Sequence, residues 1–432
     1  MKKLTLTILS MLLFFYGNIN AQQTPADPQS EPVTIQGATA HLGNGKVIEN
    51  SIIIFENGKI TNIGTSAENI SPKGKVINAE GKHVYPGFIM PNSTLGLGEV
   101  DAVKASIDES DTGEMIPHVR SLIAYNTESR VVESLRPNGV LLAQITPRGN
   151  LISGTSSVVQ LDAWNWEDAA VKVDDGIHIN WPNTFKRGRW WMGEDRGYTP
   201  NKEYTETIDK LKDFMLQAKA YANGNKEVRN LPYEATLGLF NGSKKLYVHA
   251  NDVREITDAV EFSKDMGIKN MVIVGGSEAY KAMDVLKKNN IAVLAQRTHS
   301  LPSNTDTDYD MPYKLPKILT DNGILVALEN SGDMERMNSR NLPFYAGQVV
   351  GQGMDKEQAL QLITLNAAKI LGIDKKYGSL ETGKSATLFI SEGDALDMKS
   401  NILTHAFIDG REISLESHQT VLYKRYMDKY SK

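Results

Sequence analysis

Residues 245–275 read KLYVHANDVREITDAVEFSKDMGIKNMVIVG. Two short apolar runs, Leu246-Tyr247-Val248 and Met271-Val272-Ile273-Val274, flank a polar segment. Within that segment Val253, Ile256 and Val260 recur at helical spacing. Asn251 or Asp252 stands where a helix cap belongs, since its side-chain oxygen can accept a free N–H of the first turn. The spacing predicts strand, helix over Asp252 to Met266, strand. Uninterrupted apolar strands joined through a helix imply a parallel sheet covered on its outside by helices.

The same alternation extends in both directions. Further strand candidates are 84–90 (VYPGFIM), 140–146 (VLLAQIT), 156–161 (SSVVQL), 291–297 (IAVLAQR) and 324–329 (ILVALE). Helical patterns run from Ser277 to Asn289 and from Asp355 to Leu371. With 245–250 and 271–275 this makes seven strands, whereas a closed barrel takes eight. The eighth is expected in 165–240, with Ile177-His178-Ile179 as its candidate. The expected fold class is α/β, a (β/α) barrel over residues 84–375.

Both ends of the chain are different in character. Ile52-Ile53-Ile54-Phe55 and Ile60-Thr61-Asn62-Ile63 flank Glu56-Asn57-Gly58-Lys59, a hairpin whose Asn-Gly supplies positive φ. A second Asn-Gly is Asn44-Gly45, and β patterning returns at Ala386 to Ser391 and Thr404 to Ile408. Neither 33–83 nor 376–425 is large enough to bury a core alone, so the two are expected to form one discontinuous β-sandwich. Residues 22–32 (QQTPADPQSEP) read as a flexible leader. Residues 1–21 carry Lys2 and Lys3, an apolar core from Leu4 to Tyr16, and Ile19 and Ala21 before a cleavage point. That is the layout of a secretory signal peptide, and the expected location is export, to a periplasm. After cleavage no membrane span is expected.

Composition excludes several classes. With 41% hydrophobic and 23% charged residues among 432, the chain has an ordinary folded balance. It has no cysteine, so disulfides, thiolate metal sites and a Cys nucleophile are ruled out. Lys and Arg number 47 against 52 Asp and Glu, a formal charge of −5, which argues against nucleic acid as a partner.

Four stretches carry a family likeness. They are Pro86-Gly87-Phe88-Ile89, Leu246-Tyr247-Val248-His249-Ala250, Ile363-Thr364-Leu365-Asn366-Ala367-Ala368-Lys369-Ile370-Leu371-Gly372, and Gly378-Ser379-Leu380-Glu381-Thr382-Gly383-Lys384. Together they resemble the amidohydrolase superfamily, in particular its imidazolonepropionase-like branch, with Ala367 where Pro is usual. The likeness covers roughly 33–100 and 245–425, and leaves 101–244 outside it. It implies a metal-dependent-hydrolase-like barrel with a small sandwich, and hydrolysis of non-peptide carbon–nitrogen bonds at one or two metal ions.

The ligands that such chemistry needs are mostly replaced. The family's first strand carries Asp-x-His-x-His, and strand alternation aims both imidazoles inward. Here the run is Met90-Pro91-Asn92-Ser93-Thr94, with Asn92 and Thr94 in the His positions. His249 matches the fifth-strand His. The sixth-strand position falls near Gly275, and Ser331 stands nearest the final Asp, in Glu329-Asn330-Ser331-Gly332-Asp333. Zinc in a catalytic site takes three good protein ligands. No cofactor is therefore expected, with zinc or another divalent metal only at an atypical site.

Other candidates carry two readings each. His249 is a base or a hydrogen-bonded structural residue. His299 after the seventh strand joins His249, Glu329 and Asp333 in a site at the barrel mouth, or serves loop packing. In the resulting assignment His249 and Asp333 are catalytic candidates, and Asn92, Glu329, Ser331 and His299 binding candidates. Gly275-Gly276-Ser277 is an anion cradle or a tight turn. Trp164, Trp166, Trp181, Trp190 and Trp191 form a ligand or partner contact or a satellite core. Two functions stay open. One is an exported carbon–nitrogen hydrolase acting on a small molecule with weakened or metal-atypical activity. The other is a catalytically inactive binding or partner subunit, a homo- or hetero-oligomer with an active homologue.

Overall fold

The computed structural model describes residues 24–431 except 69, 189, 194–196, 225–227 and 303. The signal-peptide assignment lies outside them. Strands β1 (Val33–His41), β2 (Val47–Glu56), β3 (Lys59–Thr65), β4 (Lys75–Asn78) and β5 (His83–Pro86) open the chain. The next four are β6 (Phe88–Ser93), β7 (Val140–Ile145), β8 (Ile152–Gln160) and β9 (Ala170–Asn180). A short hairpin follows, β10 (Phe185–Arg187) with β11 (Tyr198–Pro200). Then come β12 (Lys245–Ala250), β13 (Met271–Gly275), β14 (Ala292–Ala295) and β15 (Val326–Leu328). The chain ends with β16 (Leu388–Ser391), β17 (Leu403–Ile408), β18 (Arg411–Glu412) and the helix His418–Tyr430.

One eight-stranded sheet runs in the order β15-β14-β13-β12-β9-β8-β7-β6 and is nearly closed. Its ends are bridged by the chain itself: Leu328 N–H donates to the Leu362 carbonyl at 3.1 Å and Ile89 N–H to the Ile363 carbonyl at 2.9 Å. This is the (β/α) barrel, and residues 177–179 lie within one of its strands. The helix Val253–Asp265 begins at Asp252, whose carboxylate accepts from Arg254 N–H while Glu255 reaches back, a reciprocal cap.

Three expectations need correction. The barrel is not all parallel: β8 runs antiparallel to both β7 and β9. Only a few residues separate β7 from β8, too few for a helical crossover, so the chain must turn straight back. The apolar run 84–90 is two strands in two different sheets. It breaks at Gly87, where an added Cβ would stand 2.9 Å from both Leu141 and Thr387. The leader is held rather than free over its described part. Ala26 N–H donates to Asp162 Oδ2 at 2.9 Å, and Gln29 bridges the Phe55 carbonyl and Gly58 N–H.

The second sheet joins both ends of the chain in the order β18-β17-β16-β5-β1-β2-β3, with β4 beside β1. It curls until β2 and β17 meet, where Phe55 packs edge-on against Phe407 at 5.0 Å. Ile35, Ile53, Ile60, Leu388 and Ile390 fill the space between.

The N-terminal ends of the barrel strands close over apolar residues. Ile89, Leu142, Val158, Val272 and Leu294 pack against Ala367, Ala368, Ile370 and Leu371 of the helix Leu365–Leu371. Lys172 caps that helix by donating to the Leu371 carbonyl at 2.7 Å. Beside it Lys245 is desolvated and repelled by Lys172, which lowers its pKa to about 8. Among the described residues no helix is long and apolar enough to cross a membrane.

Candidate functional site

Strand alternation puts Tyr247 and His249 of β12 on the barrel's inner face, one above the other. Tyr247 stacks on His178 of β9 at 4.6 Å and donates its hydroxyl to Asp175 Oδ2 at 2.9 Å. Asp175 is fully buried and also accepts from Ser156 Oγ at 2.7 Å and Gln144 Nε2 at 3.0 Å. Burial nonetheless raises its pKa above the usual carboxylate value. Ser156 Oγ lies 3.0 Å from His178 Nε2, and His178 Nδ1 lies 3.0 Å from His249 Nε2. With Ser156 donating to Asp175, the chain of bonds leaves His249 as the donor to His178 and its Nδ1 as a free acceptor. Desolvation and then the Arg148 charge lower the His249 pKa to about 3, so the ring is neutral at physiological pH.

Above this layer is a cavity of about 610 Å³ lined by His249, Arg148, Ser331, Asp333, Glu335 and Arg336, with Asp101 and Glu109 at its side. Arg148 follows β7. Its guanidinium donates to Asn92 Oδ1 and the Asn92 carbonyl, both at 2.9 Å, and to the Glu335 carboxylate at 3.2 and 3.3 Å. Asn92 has φ of +51° and sits in an irregularity of the β6–β7 pairing. That is a conformation Asn tolerates better than most side chains. The bulge breaks the alternation expected of 92 and 94. Asn92 Nδ2 donates to Glu329 Oε2 at 3.0 Å, whereas Thr94 lies past the strand end and gives its N–H and hydroxyl to Glu335.

Glu329 is fully buried behind the cavity wall. Ser331 closes over it, donating its hydroxyl at 2.8 Å and its N–H as well. Burial raises the Glu329 pKa to about 7, against the pull of those bonds and of Arg148.

Of the residues singled out from sequence, His249, Ser331 and Asp333 line one cavity, and Asn92 and Glu329 stand directly behind it. His299 does not join them. It is exposed, with its ring 6.5 Å from Tyr313, because β14 ends at Ala295 and the chain has already left the mouth. Gly275 and Gly276 form a turn with φ of +91° and +61°, and Ser277 N–H donates to Asn251 Oδ1 at 3.4 Å. Trp181 is buried edge-on against Phe262, while Trp164 and Trp191 are exposed.

Arg148, Glu335, Arg336 and His178 were missed. His178 was within reach, since residues 176, 178 and 180 share one face of a strand. Arg148 lies on a loop, and Glu335 and Arg336 lie on a four-residue helix too short to show a periodicity.

Besides His249, which matches the fifth-strand His, and Met90 in the place of the acid, the positions that the resemblance gives to metal ligands hold an amide, a hydroxyl, a glycine and a second hydroxyl. Three of these are side chains, and each is engaged by a neighbouring charge. Among the described residues no group of three or more His, Asp or Glu side chains gathers as a metal-holding cluster.

Comparison with known proteins places these features. Residues 317–413 match the Amidohydrolase family. An adenine deaminase of Clostridium botulinum is 22% identical over 402 residues, which are 92% of this chain and 59% of that protein. The chain thus spans about three fifths of the length of the first curated relatives it matches. An imidazolonepropionase of Thermoanaerobacter pseudethanolicus is 24% identical over 391 residues, 82% of this chain and 87% of that one. An amidohydrolase structure from Thermotoga maritima superposes with a TM-score of 0.75 at 24% identity, covering 88% of this chain and 99% of that one.

Proposed function

The chain is a member of the amidohydrolase superfamily, and from that premise we propose that it is a non-peptide carbon–nitrogen hydrolase by descent. Its barrel mouth holds a small molecule without the family's metal centre, so hydrolysis is weakened or absent. One observation carries the reading: the fixed cation at the mouth is the Arg148 guanidinium, locked between Asn92 and Glu335. An ion entering there would have to displace that guanidinium from its partners, and the neutral side chains of Asn92, Thr94 and Ser331 are poor ligands for zinc. In any residual hydrolysis the proton would go to His249, which is uncharged and reaches the cavity.

The test is metal content. The mature protein, produced with added zinc or manganese and dialysed without chelator, is expected to hold well under one ion per chain. It should melt at the same temperature before and after chelator. A stoichiometric ion that disappears on His249→Ala would overturn the reading.

The second function, a partner subunit of an active homologue, draws support from the helix His418–Tyr430. It buries none of its residues and exposes Tyr423, Tyr426 and Tyr430. Co-purification with a catalytic homologue from the native host, lost when these three become Ser, would favour it. Export rests on residues 1–21, and the mature chain is proposed to begin near Gln22 in the periplasm. N-terminal sequencing that finds Met1 on the periplasmic form would refute this.

A further inference from the structure

The donors around the Glu335 carboxylate come from the strand ends of the barrel, and the carboxylate comes from a segment outside both sheets. Arg148 is held by the side chain and carbonyl of Asn92, and Asn92 is held by Gln144 and Glu329, all at the strand ends of the barrel. Thr94 adds its N–H, 3.1 Å from Glu335 Oε1, and its hydroxyl. One guanidinium nitrogen shared between both oxygens, a backbone N–H and a hydroxyl converge on the carboxylate and make a receptor for one. The carboxylate that fills it belongs to a four-residue helix, Glu335–Asn338, outside either sheet.

The segment leading to that helix is shaped like a hinge. Gly332 has φ of +112°, and Met334, a non-glycine, has φ of +54° with its side chain exposed. Such a backbone is disfavoured for a side chain and persists where surrounding contacts hold it. The contacts include three ion pairs on two adjacent residues. Glu335 points in to Arg148, and Arg336 points across to Asp101 and Glu109. All three border the cavity of about 610 Å³.

We propose that Thr94 and Arg148 form a carboxylate-binding site at the barrel mouth. The chain's own Glu335 occupies it at rest, and the carboxylate of a small organic acid takes Glu335's place when Ser331–Asn338 lifts. At Thr94 and Arg148 the exchange puts one carboxylate in place of another, while the lifting segment gives up the bonds of Ser331 to Glu329 and of Arg336 to Asp101 and Glu109. Withdrawing Glu335 without a replacement would strand a partly buried guanidinium, which is costly, whereas an incoming carboxylate satisfies the same donors. A neutral amide of the same shape cannot. The proposal rests on the mouth being a binding cavity and not on its metal content. Metal per chain tests that earlier reading, and carboxylate titration tests this one.

The probe is hippurate, set against its neutral amide hippuramide, titrated calorimetrically at constant ionic strength. Glu335→Gln is expected to bind hippurate at least about tenfold more tightly than the unaltered protein, because the competing charge is gone. Hippuramide should bind more weakly than hippurate and show no such gain. Adding Arg148→Lys to Glu335→Gln should cancel the gain, since an ammonium keeps the charge and loses the planar guanidinium. Hippurate binding that ignores Glu335→Gln, equal affinity for the amide, or no binding to either protein overturns the proposal. Should the substituted proteins fail to fold, hydrogen exchange on the unaltered chain decides. Hippurate is expected to speed amide exchange in 331–338 by at least about threefold through local opening, and unchanged or slower exchange there refutes the exchange of carboxylates.

Discussion

The two ends of one barrel are built from the same strands and could hardly differ more. At the lower end, Ile89, Leu142, Val158, Val272 and Leu294 meet Ala367, Ala368, Ile370 and Leu371 of the helix Leu365–Leu371, whose polar contacts run through Asn366 and its last carbonyls. At the C-terminal ends, Asn92, Gln144, His249 and Glu329 share the same inner face with Arg148 and Glu335. Along β12 the change takes one repeat of the pleat, from Tyr247 to His249. The layer between, where Asp175 gathers Ser156, Gln144 and Tyr247, separates a half that holds the fold from a half free to vary. A barrel closed below and polar above keeps its shape whatever the mouth carries.

The comparison breaks most visibly at the floor. Leu294 is fully buried against other apolar side chains. Leu294→Ala removes that contact and leaves a void, so a loss of about 3–4 kcal/mol is expected. Ser331→Ala at the mouth removes one hydroxyl bond to Glu329 and is expected to cost about 1 kcal/mol. Denaturant melts of both proteins measure this, and equal losses would erase the distinction between the two halves.

A sharper version uses pH, because the mouth holds two buried groups, His249 and Glu329, whose pKa values are shifted in opposite senses. His249 stays neutral in the folded chain down to about 3, whereas an unfolded His takes a proton below about 6.5. Its folded pKa is the lower one, so stability is lost as pH falls from about 6.5, by up to about 3 kcal/mol near pH 4. Glu329 acts in the opposite sense. Its folded pKa of about 7 lies above the ordinary 4.5. Its contribution is full below about pH 4.5 and lost as pH rises through about 7, by up to about 2 kcal/mol. Melts across pH should therefore show the acid-side loss reduced by His249→Gln, and the loss between about pH 5 and 8 reduced by Glu329→Gln. Parallel curves for all three proteins would mean that neither group is as desolvated as its position implies.

Legibility followed the same division. Apolar periodicity marked the strand runs, and with them the floor, because burial leaves its trace at every second or every third and fourth residue. It could not report direction: 156–161 reads alike whether β8 runs parallel or antiparallel. At the mouth, family motifs led to His249, Ser331 and Asn92, which stand on or beside strands. Arg148 in Pro147-Arg148-Gly149-Asn150 and Glu335 belong to no motif and no apolar pattern. Their meeting depends on two connecting segments folding toward each other, which no local pattern encodes. His299 failed for the converse reason. Its place just after a strand suggested the mouth, but the chain had already turned away.

The smallest effect is expected at Asp333, and it is the most telling about the mouth. Asp101 and Glu109 pair with Arg336, and Glu335 with Arg148, whereas no partner is seen for the Asp333 carboxylate among the described residues. Its backbone carbonyl, not its side chain, accepts from Arg297 at 2.8 Å. Asp333→Asn therefore breaks no bond of the folded chain, and a stability change within about 0.5 kcal/mol is expected. An acid left unpaired beside a cavity still presents two acceptors to whatever enters. If the occupant is an organic acid bearing an amine or amide donor, Asp333→Asn should weaken it about three- to tenfold while leaving a donor-free acid of similar size unaffected. Titration of glycyl-glycine and butyrate against both proteins reads the difference. A melt lowered by more than about 1 kcal/mol would show that Asp333 has a structural partner. Equal loss of both ligands would show that it acts on the shape of the loop rather than on the ligand's donor.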